Sequence, residues 1–479
     1  MTAQAESGFQ VDLTYIPEAS QNVTPPGSLA GTLEAGAVID GAVAEGASVL
    51  AIAGGGNARS ILKGDRFTVA GVAGEYRFTA ASLTTETGAV AAAAFAPAAP
   101  AGGFPDGAAI TLVARPAMKV LRLTSRSINA KRGQLRSEEV QAHGQTTVLR
   151  HGLRQVQGSL GFQLSRGDHD ELLAWCCGAD WQAGGSTAAT TLSAVAAVDG
   201  QAARFSRATG SFLADGHRPG DFVAVSGFSS AANNGLFLVK AATATALEVF
   251  GPLAAETGSG DEAIAGPARR LALANRGRTW TIERRFNGVG LYQLFTGVAA
   301  SQFRIEVQPE QIVSGSVELI GLAGGEFAGA SVNAEAAPPT TNDPFDAFNG
   351  EVYVGDRTIG CCTGLSLAVA LNRQAPGVVG SPDSPRLFES QMEVSGQIGA
   401  FFEDRRLHDL FWNEETFGLG LRLEDPNGSD WIGLYLPRCK VVDSQIDPPQ
   451  SGPVPQQLQI QALYDPALGS TLAITRSYT

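Results

Sequence analysis

The chain has 479 residues, 17% charged and 44% hydrophobic, with 58 glycines and a formal net charge of −13. Ordinary globular chains carry about 25% charge and about 7% glycine, so this composition suits many short strands joined by turns, with enough apolar residues for real cores. The acidic balance excludes a non-specific grip on nucleic acid, which needs Lys and Arg to displace counterions, but not a surface that nucleic acid slides past.

The first residues, MTAQAESGFQVDLTY, have neither a basic n-region nor an apolar h-region, so no signal peptide is expected. Residues 28–115 are rich in Ala and Gly and read as an inserted β module. Within it, AGGGN from Ala53 lacks the Gly-Lys-Ser/Thr of a phosphate loop and reads as a turn. The most apolar run, GAVAAAAFAPAAPAGG from Gly88, is broken by Pro97 and Pro100. It is too short and too weakly apolar to span a membrane and reads as a flexible loop or turn region. No membrane contact is expected.

Next comes LRLTSRSINAKRGQLRSEEVQAHGQTTVLRHG, a strand and then a polar loop from about Ala130 to Arg150. Loops this long are commonly functional or disordered. Its mixed charges, Lys131, Arg132, Arg136, Glu138 and Glu139, suit contacts that set register. The stretch VQGSLGFQL then alternates as a strand does, and DHDELLAW follows as a short helix anchored by Trp175. Asp168, Asp170 and Glu171 suit the positive end of that helix, with no cleft for acid–base work.

Residues 186–270 form a second inserted module. Its PGDFVAVSGF, from Pro219, resembles KGDRFTVAGV, from Lys63; each is a Gly-Asp turn entering a strand. NRGRTWTIERRF, from Asn275, is a basic cluster with Trp280 and Phe286, read as a strand face or intersubunit ion pairs in preference to stacking on nucleic acid. AEAAPPTTNDPFDAFNG, from Ala334, is an extended linker between two halves.

The second half repeats the first. Placing Gly158 on Gly396 sets an offset of 238, which brings Val156 onto Val394, Gly161 onto Gly399 and Leu172 onto Leu410. VSGQIGAFF is again a strand, and RRLHDLFW is again a helix, anchored by Trp412. A second long polar loop, Asn372 to Ser390, carries Arg373, and the acidic stretch WNEETFGLGLRLEDPNGSD is a candidate channel face. The expected organisation is a first unit of residues 1–27, 116–185 and 271–333, the two modules, a linker at 334–349 and a second unit at 350–479.

The five cysteines include no Cys-x-x-Cys and read as small buried hydrophobes; the five histidines include no metal-ligand spacing. No nucleophile elbow has plausible partners, so no catalytic residue, cofactor or metal is expected.

The pattern LTSRSINAKRGQLRSEEVQAHGQTTVLRHGLRQVQGSLGFQLSRGDHDELLAW resembles the tail tube proteins of long flexible-tailed (siphovirus-type) bacteriophages. The insertion ATGSFLADGHRPGDFVAVSGFSSAANNGLFLVKAATATALEVF is similar to one in that family. The resemblance implies a mainly β fold: two tandem β-sandwich or barrel units, each with one short helix, plus the two small β modules. It implies that inner sheets join around a channel, that six units make a ring, and that rings stack into a tube. A duplicated chain would supply two of the six, giving a homotrimer with pseudo-sixfold symmetry. The partners implied are the protein itself, the tape measure protein, the tail terminator and baseplate-side proteins. Viral DNA would pass through without specific binding, and the protein would assemble in the host cytoplasm and reside in the virion tail. Lys131, Arg132, Arg136, Glu138, Glu139 and Arg373 are the contact-loop residues on this reading. Three alternatives remain: a β-rich adhesin or surface protein, a β-rich carbohydrate hydrolase, and another tail component such as a terminator or fibre protein. The absent signal peptide and the repeated helix weigh against the first. The second would need paired carboxylates in an aromatic-lined cleft.

Overall fold

A computed structural model describes residues 11–18, 33–57, 59–61, 65–80, 82–114, 118–136, 149–198, 202–274, 277–332, 336–355, 357–425 and 430–478. The protein is mainly β, with two short α-helices among the described residues. Its body repeats one order of elements. The first set is β1 (Val11–Pro17), β2 (Ser125–Arg136), β3 (Leu149–Gln163), α1 (Asp170–Cys177), β4 (Trp280–Phe286), β5 (Leu291–Val307), β6 (Ser314–Gly321) and β7 (Ala323–Ala328). The second is β8 (Gly350–Val354), β9 (Cys362–Ala370), β10 (Glu393–Phe401), α2 (Arg406–Trp412), β11 (Phe417–Glu424), β12 (Trp431–Ile446), β13 (Pro455–Ala462) and β14 (Ala473–Arg476).

Two-residue alternation builds these strands. In β13, Gln457 and Gln459 face out while Leu458 and Ile460 are buried. The longest strands, β5 and β12, each carry a bulge at the same place in the repeat. Register slips between Ala300 and Gln302 against β6, and between Val441 and Asp443 against β13. A bulge bends its strand, so β5 and β12 each serve two sheets. One sheet is antiparallel throughout and runs β2–β3–β6–β5–β9–β10–β13–β12, crossing from the first set to the second. The others run β1–β4–β5–β7 and β8–β11–β12–β14. A single apolar core spans both sets, including Leu160, Phe303 and Val317 with Val369, Ile398 and Ile460.

The repeated glycines have a steric cause. A Cβ on Gly158 would collide with the Ser127 carbonyl, and one on Gly396 would sit 2.8 Å from the Ser366 carbonyl. Both glycines let the preceding strand lie close. Gly158→Ala is expected to displace β2 at a cost of about 1–3 kcal/mol. Hydrogen exchange would show faster-exchanging amides along β2; unchanged protection would refute this.

The helices differ, and the offset of 238 places Trp412 on Ala174 and not on Trp175. In α1, Trp175 is 1% exposed and stacks on Trp280 at 4.2 Å, which stacks on Tyr15 at 4.0 Å. In α2, Leu407 is buried but Trp412 is 75% exposed. Trp412 therefore does not anchor its helix, contrary to expectation. Elements of both sets close over α1, whereas α2 rests chiefly on β12.

The Ala-rich run is a correction too. Val90–Ala96 is a strand whose Phe95 is 2% exposed within a core of Phe67, Tyr76, Phe78 and Phe104. Small residues fill the narrow space around those rings. The described hydrogen bonds of residues 33–114 are internal to that segment. The second inserted segment has its own core around Phe205, Phe212 and Val223. It also docks: Phe222, Leu238 and Phe250 join Tyr353 and Tyr435 of the second set. The linker does more than separate the halves. Phe345 is buried, its N–H donates to the Leu164 carbonyl at 2.8 Å, and Ala336–Ala337 pairs with the strand Met118–Val120.

Candidate assembly surface

The two sets meet at a seam between β5 and β9. Six residue pairs cross it, from Gln302 opposite Ala370 to Val307 opposite Leu365. The loop after β9 then crosses onto the first set. The Leu371 N–H donates to the Ser301 carbonyl at 2.9 Å, and Leu387 packs with Ala299 and Leu322. Arg154 of β3 meets this loop. Its N–H donates to the Pro382 carbonyl at 2.7 Å, and its guanidinium holds Asp383, with Nε donating at 2.6 Å. At the α1 side of the seam, Arg476 of β14 pairs with Asp170 of α1, and the Tyr478 hydroxyl donates to Asp170 at 3.0 Å. Burial pushes the Asp170 carboxyl up, and the Arg476 charge pulls it down less strongly.

Both outer edges of the long sheet are open. Among the described residues, β2 pairs only with β3, and the Asp443–Ile446 end of β12 pairs only with β13. Such edges present N–H and C=O groups to another chain, although on β2 the Ile128 carbonyl already accepts from the Arg284 guanidinium.

Lys131, Arg132 and Arg136 lie on the open edge, exposed along β2. The expected loop is a ladder here: Arg132 faces Arg154 and Arg136 faces Leu149, making a projecting ribbon. Its residues are solvated on both faces, so they show none of the alternation that marks a half-buried strand. Glu138 and Glu139 lie outside the described residues. Arg373 is 6% exposed, and its guanidinium donates to the Ala300 carbonyl at 2.9 Å. Burial lowers its pKa. It braces the seam from inside and presents no charge outward.

One face of the long sheet packs on the core; the other is open and polar. Gln302, Ser316, Gln397 and Gln459 typify it, with carboxylates Glu306, Glu318, Glu393 and Asp443 against the cations Lys131, Arg304 and Lys440. The acidic stretch flagged in the sequence as a channel face falls instead on β11 and its flanks, in a different sheet.

The remaining reactive groups are quiet. Burial pushes the Cys177 and Cys439 thiols up to about 12. Cys361 and Cys362 are only partly buried, unlike the expectation for all five, and neither is in a disulfide. The Ser165 N–H donates to His169 Nδ1 at 3.1 Å, leaving Nε2 to donate to the Arg122 carbonyl at 3.1 Å. Burial lowers the His169 pKa, so the ring is a neutral structural link. Among the described residues, no group of three His, Cys, Asp or Glu could hold a metal.

Residues 8–462 match a protein family described as phage tail tube protein. No curated protein is significantly similar to the chain.

Proposed function

The chain belongs to the phage tail tube protein family, and from that premise we propose that three copies close each ring of the tube. Each copy supplies two wall units, so the inner wall has pseudo-sixfold symmetry. The rings stack into the conduit through which the genome leaves. The observation that carries this reading is the β5–β9 seam. In the repeat, β12 is the counterpart of β5 and β2 is the counterpart of β9. The chain thus carries the two halves of the same joint, unpaired, at its opposite ends. A head-to-tail contact of this kind generates a ring when the rotation closes.

Size agrees. At a strand spacing of about 4.8 Å, eight strands closed alone would make a ring about 12 Å across, filled by side chains. Three chains give about 37 Å before tilt, less about 5 Å of side chain on each side, which admits a duplex. The open polar face would line that lumen, and its excess of carboxylates repels phosphate and limits adhesion of DNA. The tape measure protein would occupy the lumen during assembly in the host cytoplasm. Terminator and baseplate-side proteins would cap the ends. The wall does no chemistry.

Electron microscopy of concentrated protein and of phage tails tests the proposal. Stacked rings with a sixfold inner wall and three strong outer lobes are expected. A protein that is absent from tails and never self-associates would sink the reading.

A further inference from the structure

Resting on that reading, the internal seam also defines how two copies meet, residue by residue. Gly158 of β3 faces Ile128 and Leu319, and Gly396 of β10 faces Leu367 and Ile460. Ile128 therefore corresponds to Leu367 (an offset of 239), and Leu319 to Ile460 (an offset of 141). The shared bulge carries the second offset into β5 and β12: Gln302 corresponds to Asp443 and Ile305 to Ile446. The seam pairs Gln302 with Ala370, Phe303 with Val369, Arg304 with Ala368 and Ile305 with Leu367.

Carrying those pairs across the repeat, we infer that β12 of one copy pairs antiparallel with β2 of the next in a single register. Asp443 lies opposite Lys131, Ser444 opposite Ala130, Gln445 opposite Asn129 and Ile446 opposite Ile128.

The chemistry of the two edges fits this register. Ile446 and Ile128 lie on the core side, where the internal seam has Ile305 and Leu367. Gln445, Asn129, Asp443 and Lys131 lie on the open polar face. The only charges brought directly opposite are unlike. A slip by one residue would turn every β2 side chain to the wrong face. The chain-to-chain seam also differs from the internal one: Asp443 and Lys131 stand where the internal seam has uncharged Gln302 and Ala370. An ion pair there selects head-to-tail order between copies, and the internal joint, fixed by the chain itself, has no need of one.

A cysteine pair tests the register in the full chain. Asn129→Cys with Gln445→Cys, assembled into tubes and mildly oxidised, should give covalent species of two and three chains and none larger on a non-reducing gel. Each single variant, which keeps the native thiols, should give none. The slipped pair Asn129→Cys with Asp443→Cys should link poorly. If the slipped pair links and the first does not, in chains that still assemble, the register is wrong while the tube stands. Covalent species of six chains would overturn the three-chain ring. If the unmodified chain forms no tubes and is missing from tails, the tube reading itself fails. A charge exchange isolates the ion pair. Lys131→Asp should raise the concentration needed for assembly severalfold, and adding Asp443→Lys should restore it. Assembly that is unmoved by the first change, or unrestored by the second in chains that remain folded, would overturn the pairing.

Discussion

Arg476→Ala is expected to destabilise the folded chain by about 3–5 kcal/mol, the usual cost of removing one partner from a buried ion pair. Arg476 is 7% exposed and Asp170 is 8% exposed, so the carboxylate left behind has little water to turn to. The guanidinium also lies over the rings of Trp181 at 4.5 Å and Tyr478 at 4.8 Å, contacts that are lost with it. The loss falls on the joint between α1 and β14, and so on the hold between the two sets. Denaturant unfolding followed by tryptophan fluorescence would show a lower midpoint. Replacing both partners, Asp170→Asn with Arg476→Met, should recover most of the loss, because no buried charge is then orphaned. A change below about 1 kcal/mol for Arg476→Ala would mean that the pair does not couple the sets.

The two inserted segments should respond oppositely to excision. Removing residues 28–115 takes away a core in which, among the described residues, Phe67, Phe78 and Phe95 pack within their own segment. The remainder should be soluble, with an unfolding midpoint near that of the full chain. Removing residues 186–270 uncovers Tyr353 and Tyr435, which Phe222, Leu238 and Phe250 now cover. It also removes Arg269 and Arg270, half of the strand Arg269–Ala272 that pairs along the edge of β14. Each large apolar side chain uncovered costs about 1.5–3 kcal/mol, so this variant should be poorly soluble or unfold at much lower denaturant. Expression, sedimentation and unfolding of the two deletions decide the matter. Equal behaviour would refute the distinction.

Where one face of a strand is buried, the sequence carries the pattern plainly. The repeat around Gly158 and Gly396, both helices and the alternating strands beside them were legible because apolar periodicity records local geometry. The β2 ribbon from Ala130 to Arg136 was not, since a strand solvated on both faces has no alternation to read. The strand at Val90–Ala96 hid behind alanine, too weakly apolar to mark a buried side. Trp175 and Trp412 illustrate a different limit. At the offset of 238, Trp412 falls on Ala174 and Trp175 on Asn413, so the two rings stand one residue, about 100°, apart around their helices and only Trp175 turns into the core. Arg373 reads as a loop charge and proves to be a brace, because its acceptor, the Ala300 carbonyl, is remote in sequence. The candidate seam was foreseeable only as a consequence of duplication; its register needed both bulges in view.

Both inserted segments belong to the first half of the repeat, and the second half has none. A ring of six identical chains would carry any surface addition six times, crowding its rim and changing every wall position at once. Two copies fused in one chain are free to mutate independently. One can gain bulk outside while both keep the same wall inside. In the three-chain ring proposed above, the exterior would therefore be free to diversify at half the density of the bore, with outer segments acquired without disturbing the passage.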